Sequence, residues 1–164
     1  MKTLFLLRHA RAENPASGSK DSDRALDERG KKEVQAAGIF IKQLNLKFDQ
    51  VLCSTAVRAR ETADLLVAAA ELQVTVRYDQ RIYEATPLQL LEVIKEIEDE
   101  KGALLLVGHN PGMEELLKLL TAQPTPMATC SLAKLDLEAD QWSNIEKTGG
   151  SLDWIVKPEK LHAS

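Results

Sequence analysis

At 164 residues, with 44% hydrophobic and 28% charged residues, the chain has the composition of one globular domain, residues 1–164, and lies outside the disordered regime. A net charge of −4 excludes the broad basic field of a nucleic-acid or acidic-membrane binder, so an anionic ligand must be held by a local positive cluster. Cys53 and Cys130 show neither a CxxC nor a disulfide-scaffold spacing, and no apolar run reaches the length of a signal segment or membrane span, so the expectation is a soluble, cytoplasmic protein.

The first element is the run Leu4-Phe5-Leu6-Leu7, four apolar residues that read as a buried strand. It breaks into Arg8-His9-Ala10-Arg11 and then a polar loop to Leu26. Asp21-Ser22-Asp23 in that loop has too few ligands for a metal and reads as solvated. Asp27 is the expected cap of a helix whose inward face carries Val34, Ala37, Ile41 and Leu44. Residues 49–53 form a second short strand, with Ser54-Thr55 as the cap of a second helix ending at Ala68-Ala69-Ala70. Ser54, Arg58 and Thr62 lie four apart and share a face, a polar stripe that suits an anion better than a core. Arg60 falls elsewhere and reads as a surface charge.

Alternation over Val74–Tyr78 predicts a third strand. After the loop Arg81-Ile82-Tyr83-Glu84-Ala85, Thr86-Pro87-Leu88-Gln89 has the form of a capping box with proline at the first position. Leu90, Leu91, Ile94 and Ile97 face inward behind it. Ala103-Leu104-Leu105-Leu106-Val107 is the most continuous apolar run, a central parallel strand. It leads into Gly108-His109-Asn110-Pro111-Gly112, where Asn110 as cap and Pro111 as first residue open a fourth helix with Leu116, Leu117 and Leu120 inward. Beyond Ala128, residues 130–137 alternate, 142–146 are expected to pair back as a hairpin, and Trp154-Ile155-Val156 forms a last strand or packed tail.

Four strand–helix units in succession predict an α/β fold of three layers, a mostly parallel central sheet with helices on both faces. In such a sheet the carboxyl ends of the strands lie at one edge. That edge gathers Arg8 and His9 from the first strand, Ser54 and Arg58 from the second, and His109 and Asn110 from the fourth. Two arginines supply planar, permanently charged forks for phosphate oxygens, and a histidine ring nitrogen is a competent phosphoryl acceptor.

Three stretches carry a resemblance. Leu7-Arg8-His9-Ala10, Ser54-Thr55-Ala56-Val57-Arg58-Ala59-Arg60-Glu61-Thr62 and Val107-Gly108-His109-Asn110-Pro111-Gly112 are similar to the three motifs of the histidine phosphatase superfamily, which includes the phosphoglycerate mutases. The chain's size, the segment Asp23-Arg24-Ala25-Leu26-Asp27-Glu28-Arg29-Gly30 and the His-Asn-Pro after the fourth strand resemble the SixA-type phosphohistidine phosphatases most closely. The resemblance implies a phosphoglycerate mutase-like fold and a phosphatase in which His9 becomes phosphohistidine. It further implies that Arg8, Arg58 and His109 hold the phosphoryl group and that Ser54 and Asn110 add hydrogen bonds. No metal and no cofactor is expected, because the arginines supply the positive charge. Flanking arginines should also keep His9 neutral.

Larger members of the superfamily carry a general acid after the third strand. Glu84 is the nearby candidate here, and it reads equally as a polar loop residue. The short connections leave only the Ala12–Leu26 loop to cover the pocket, so an exposed phosphorylated side chain on a partner protein fits better than an enclosed metabolite. The expected partner is a phosphohistidine domain, with a small phosphoester or phosphoramide as the alternative and no nucleic acid.

Other classes fit less well. Cys53 followed by Arg58 resembles the Cys-loop-Arg of protein tyrosine phosphatases, but the spacing is one residue short and the loop has no glycine. His9 and His109 lack the carboxylate partner motif of a metal hydrolase. A non-catalytic phosphate-binding module would not need both histidines. His162 has no chemical context and reads as part of a solvated tail.

Overall fold

The computed structural model describes residues 1–161, and His162 lies outside them. The sheet is built from β1 (Lys2–Arg8), β2 (Gln50–Cys53), β3 (Val76–Tyr78), β4 (Ala103–Gly108), β5 (Leu132–Leu137) and β6 (Gly150–Val156). Their order is β3-β2-β4-β1-β5-β6. The first four strands in that order run parallel, β5 pairs antiparallel with β1, and β6 pairs antiparallel with β5 at the sheet edge. The expected α/β architecture with a mostly parallel sheet is therefore the observed one.

The apolar run of β4 is central because both of its faces are covered. Leu104 and Leu106 pack with Leu4, Leu6 and Leu52 under helices α3 (Pro87–Lys95) and α4 (Gly112–Thr121). Leu105 and Val107 pack with Phe5, Leu7, Val51 and Cys53 under α1 (Glu28–Gln43) and α2 (Val57–Ala69). A short α5 (Pro158–Leu161) follows β6. Leucines fully buried in this way stabilise the fold by about 1.5–3 kcal/mol each.

Several local expectations hold for the reasons given. Asp27 caps α1 by accepting from the Gly30 amide, and Thr86 with Gln89 forms a complete capping box at α3. Others need correction. Leu44 lies past the end of α1 and is exposed, because the helix stops before its face returns to the core. Ile97 is buried but lies beyond α3, which ends at Lys95. Residues 142–144 form a 3-10 turn rather than a hairpin strand, since Trp142 is wholly buried and its indole donates to the Lys101 carbonyl at 2.6 Å. The strand paired with β5 is β6, which begins four residues before the predicted Trp154 segment.

Candidate active site

Strand register brings the site together. Arg8 lies beside Gly108 and Cys53 beside Val107, so the chain leaves all three strands at one level. The His9 amide donates to the Gly108 carbonyl at 3.0 Å and the Ser54 amide to the Val107 carbonyl at 3.1 Å. Beyond these bonds the His9 and His109 rings lie 5.1 Å apart between centroids. Gly112 keeps the 84–86 loop close, because a Cβ there would stand 2.5 Å from the Ala85 carbonyl oxygen.

His9 is held through one nitrogen. Its Nδ1 lies 2.7 Å from the Ala10 carbonyl, an acceptor only, so Nδ1 carries the proton and Nε2 keeps its lone pair. Thr62 fixes the residue that follows, accepting from the Ala10 amide at 3.0 Å while donating to the Arg58 carbonyl at 2.7 Å. The His9 pKa is pushed down to about 4, chiefly by burial. The Ala10 hydrogen bond opposes this, and Arg58, Arg8 and Arg24 add to the lowering. The expected role of the arginines in keeping His9 neutral is thus real but second to burial.

His109 is 8% exposed and its pKa is lowered to about 3, first by burial and then by His9 and Arg58. Its Nε2 lies 2.7 Å from Ser54 Oγ, which accepts from the Ala56 amide at 3.2 Å. Ser54 therefore orients His109. It is not the side-chain cap of α2, whose cap position is Ala56.

Both arginines are anchored at one end. Arg8 Nη1 donates to the Met127 carbonyl at 3.0 Å, while its buried Nε has no partner among the described residues. Arg58, 6% exposed on the first turn of α2, donates through Nη1 and Nη2 to Asp21 and lies 5.9 Å from the centre of the Tyr83 ring. His109 Nδ1 and Asn110 Oδ1 are likewise buried without a partner among the described residues.

Asn110 lines the same cavity as Arg58 and His109, but its donors are spent within the protein. Its amide nitrogen donates to Glu114 at 2.8 Å and to the Met127 carbonyl at 3.0 Å, so both amide hydrogens are taken. Nor does it cap α4, where Pro111 holds the cap position and Gly112 is the first helical residue. Glu84 is exposed, has a left-handed backbone with φ of 53°, and lines a cavity of about 470 Å³ together with Arg58, Thr86, His109 and Glu115. Arg60 is exposed beside Tyr78, as expected of a surface charge.

Sequence reasoning missed Tyr83, Glu114 and Asp21. Tyr83 packs edge-on to His109 at 5.5 Å and donates to Asp21 Oδ2 at 2.6 Å. Glu114 accepts from the Met127 amide at 2.8 Å and so steadies the residue whose carbonyl holds Arg8. Asp21 is exposed in its loop as expected but is also the partner of Arg58, a pairing across 37 residues that no local spacing reveals. Cys53 is fully buried, its thiol donates to the Ser54 carbonyl and burial pushes its pKa up, so it is no thiolate nucleophile. Among the described residues no group of three or more His, Cys, Asp or Glu side chains is placed to hold a metal ion.

An α/β sheet whose strand ends present two histidines and two arginines with unspent donors defines a protein built to handle phosphoryl-like anions. The chain belongs to the histidine phosphatase superfamily (branch 1), whose sequence pattern matches residues 4–89. An uncharacterized protein of Mycobacterium leprae is 31% identical over 159 residues, which span 89% of this chain and 96% of that one. Among solved structures, the candidate phosphohistidine phosphatase SixA of Agrobacterium tumefaciens superposes with a TM-score of 0.81 at 29% identity, covering 94% of this chain and 97% of that chain. The protein histidine phosphatase SixA in complex with tungstate shares the fold, with a TM-score of 0.82 at 21% identity over 97% of this chain and 99% of its own.

Proposed function

We propose that this chain is a metal-independent protein phosphohistidine phosphatase that works through a phosphohistidine on His9, in the cytoplasm. The observation that carries the reading is the His9 geometry. Nδ1–H is fixed on the Ala10 carbonyl, leaving a neutral Nε2 beside two arginines with unspent donors.

In the first step the Nε2 lone pair attacks phosphorus and the bond from phosphorus to the substrate's imidazole nitrogen breaks. That nitrogen keeps the bonding pair and takes a proton from solvent. In the second step water attacks phosphorus on His9, the His9 N–P bond breaks with its electron pair returning to Nε2, and phosphate leaves with the oxygen of water. The charge on the transferring group is met by Arg8 and Arg58. His109 is oriented through the contact of its Nε2 with Ser54 Oγ, which turns its buried Nδ1, unpartnered among the described residues, toward the site as a further polar group. The likeness to the SixA proteins supports a side chain on a partner protein as substrate.

The test is phosphate release, with EDTA present, from a histidine-phosphorylated carrier protein and from an aryl phosphate. Wild type is expected to dephosphorylate the carrier, and His9→Ala to lose about three powers of ten or more. Release from the aryl phosphate alone would move the substrate to small phosphoesters. Binding of phosphate without any release would leave a non-catalytic module.

A further inference from the structure

Arg58 is held by a group that none of the three motifs contains. The loop from Ala12 to Leu26 is pinned at its neck by the pairing of Ala12 with Leu26 and by the Glu13 amide on the Ala25 carbonyl at 2.8 Å. From that neck the loop returns to the pocket through a single 3-10 turn, Asp21–Asp23. There the Asp21 carbonyl accepts from Arg58 Nη1 at 2.9 Å and Asp21 Oδ2 accepts from Arg58 Nη2 at 3.0 Å. The carboxylate is itself fixed by two further donors, Tyr83 Oη at 2.6 Å and Arg24 Nη1 at 3.0 Å.

The geometry of the fork gives this arrangement its meaning. A guanidinium offers an end-on pair of donors, from Nη1 and Nη2, and a side-on pair, from Nε and Nη2. Asp21 occupies the end-on pair. The side-on pair has no partner among the described residues, on a side chain that lines the same cavity as His109. An unrestrained arginine loses rotamer freedom when it is fixed, so holding it beforehand removes that cost from the step in which phosphate is gripped.

We propose that Asp21 is a positioning residue of this site, which sets the Arg58 guanidinium so that its side-on edge meets the phosphoryl oxygens. The proposal rests on the phosphatase reading above. It explains why an exposed loop carries a carboxylate into an anion site, where its charge alone would repel the substrate. Tyr83 takes part by holding the same oxygen while covering His109.

A double-mutant cycle with the phosphohistidine carrier separates positioning from mere loop structure. Asp21→Ala is expected to lower kcat/KM about tenfold, and Asp21→Asn, which keeps an acceptor for Arg58, to stay within about threefold of wild type. In an Arg58→Ala background the same Asp21→Ala change is expected to cost less than about twofold, because the group it positions is gone. Calorimetry with tungstate, which needs no turnover, should show Asp21→Ala weakening the anion by a similar factor. An equal loss in both backgrounds, equal loss in the Ala and Asn variants, or an Asp21→Ala enzyme no slower than wild type overturns the proposal. An inactive wild type would instead refute the phosphatase reading, and anion binding would still report on Asp21.

Discussion

The two ends of the sheet are both polar and both partly buried, yet they are finished differently. At the amino ends of β1 and β4, Lys2 is 6% exposed and donates to the Asp99 and Lys101 carbonyls, and lies over Trp142. Gln50 donates to the Val51 and Thr75 carbonyls, and the Asp49 carboxylate accepts from the Gly102 and Ala103 amides at 2.9 Å each. Each of these side chains is occupied in tying loops to strands. At the carboxyl ends, Arg8 Nε and His109 Nδ1 are buried with nothing among the described residues to bond. Burying an unsatisfied polar group costs about 1–3 kcal/mol, so a fold keeps such groups where a ligand will satisfy them. Elsewhere among the described residues the buried unpartnered atoms are single second oxygens of carboxylates already ion-paired through Oε1, at Glu98 and Glu159, so it is the cluster of unpartnered groups that distinguishes the carboxyl ends.

The contrast breaks or holds on one pair of substitutions. Arg58→Ala should slow phosphohistidine turnover by about ten- to a hundredfold, since a charge-assisted contact to phosphate is worth roughly 1.5–3 kcal/mol, with a smaller effect on stability because solvent reaches the Asp21 side chain that loses its partner. Lys2→Met should do the reverse, lowering the unfolding free energy by about 1–3 kcal/mol through the Asp99 carbonyl left without its donor and the Lys101 carbonyl left with the Trp142 indole alone, with kcat unchanged. Steady-state kinetics and urea denaturation of both variants check the pair. A Lys2→Met enzyme with impaired turnover would show that the two ends are not independent.

Acid should find the same division. His9 and His109 have folded pKa values near 4 and 3, below the ordinary histidine value of 6.5. Between those values the unfolded chain binds more protons than the folded one, so stability is complete above about pH 6.5 and declines as pH falls toward 4 and 3. Denaturation midpoints at pH 7, 6 and 5 should therefore fall in wild type and fall less steeply in His109→Asn. Lys2→Met should keep the wild-type slope, because the change lies at the satisfied end.

Much of this was legible in the chain. The runs at β1 and β4, the caps at Asp27 and Thr86, and the Arg-His, Ser…Arg and Gly-His segments at strand ends are local patterns with one physical interpretation each. What escaped depends on contacts between distant segments. Trp142 looks like a strand residue until the Lys101 carbonyl captures its indole. Glu33 looks like a solvated helix acid, yet it is 3% exposed and accepts from Lys157, Thr129 and the Arg11 amide beneath the site. Asp21 and Tyr83 carry no motif of their own, and only the folded loop brings them to Arg58.

Glu84 sharpens the comparison at its smallest scale, because it lines the pocket yet is neither buried nor unsatisfied in the way of Arg8 and His109. A P–N bond to imidazole breaks without strong help from an acid, whereas an alkoxide leaving group needs a proton, worth a factor of about 10²–10⁴ where a positioned acid supplies it. Glu84→Gln should thus leave phosphohistidine turnover within about threefold of wild type. Any slower hydrolysis of an alkyl phosphate should fall by about tenfold or more. Measuring both substrates on one preparation removes differences in active fraction. Equal losses on the two would make Glu84 a binding residue of the pocket, and a large loss on phosphohistidine would make it the general acid that an exposed loop position argues against.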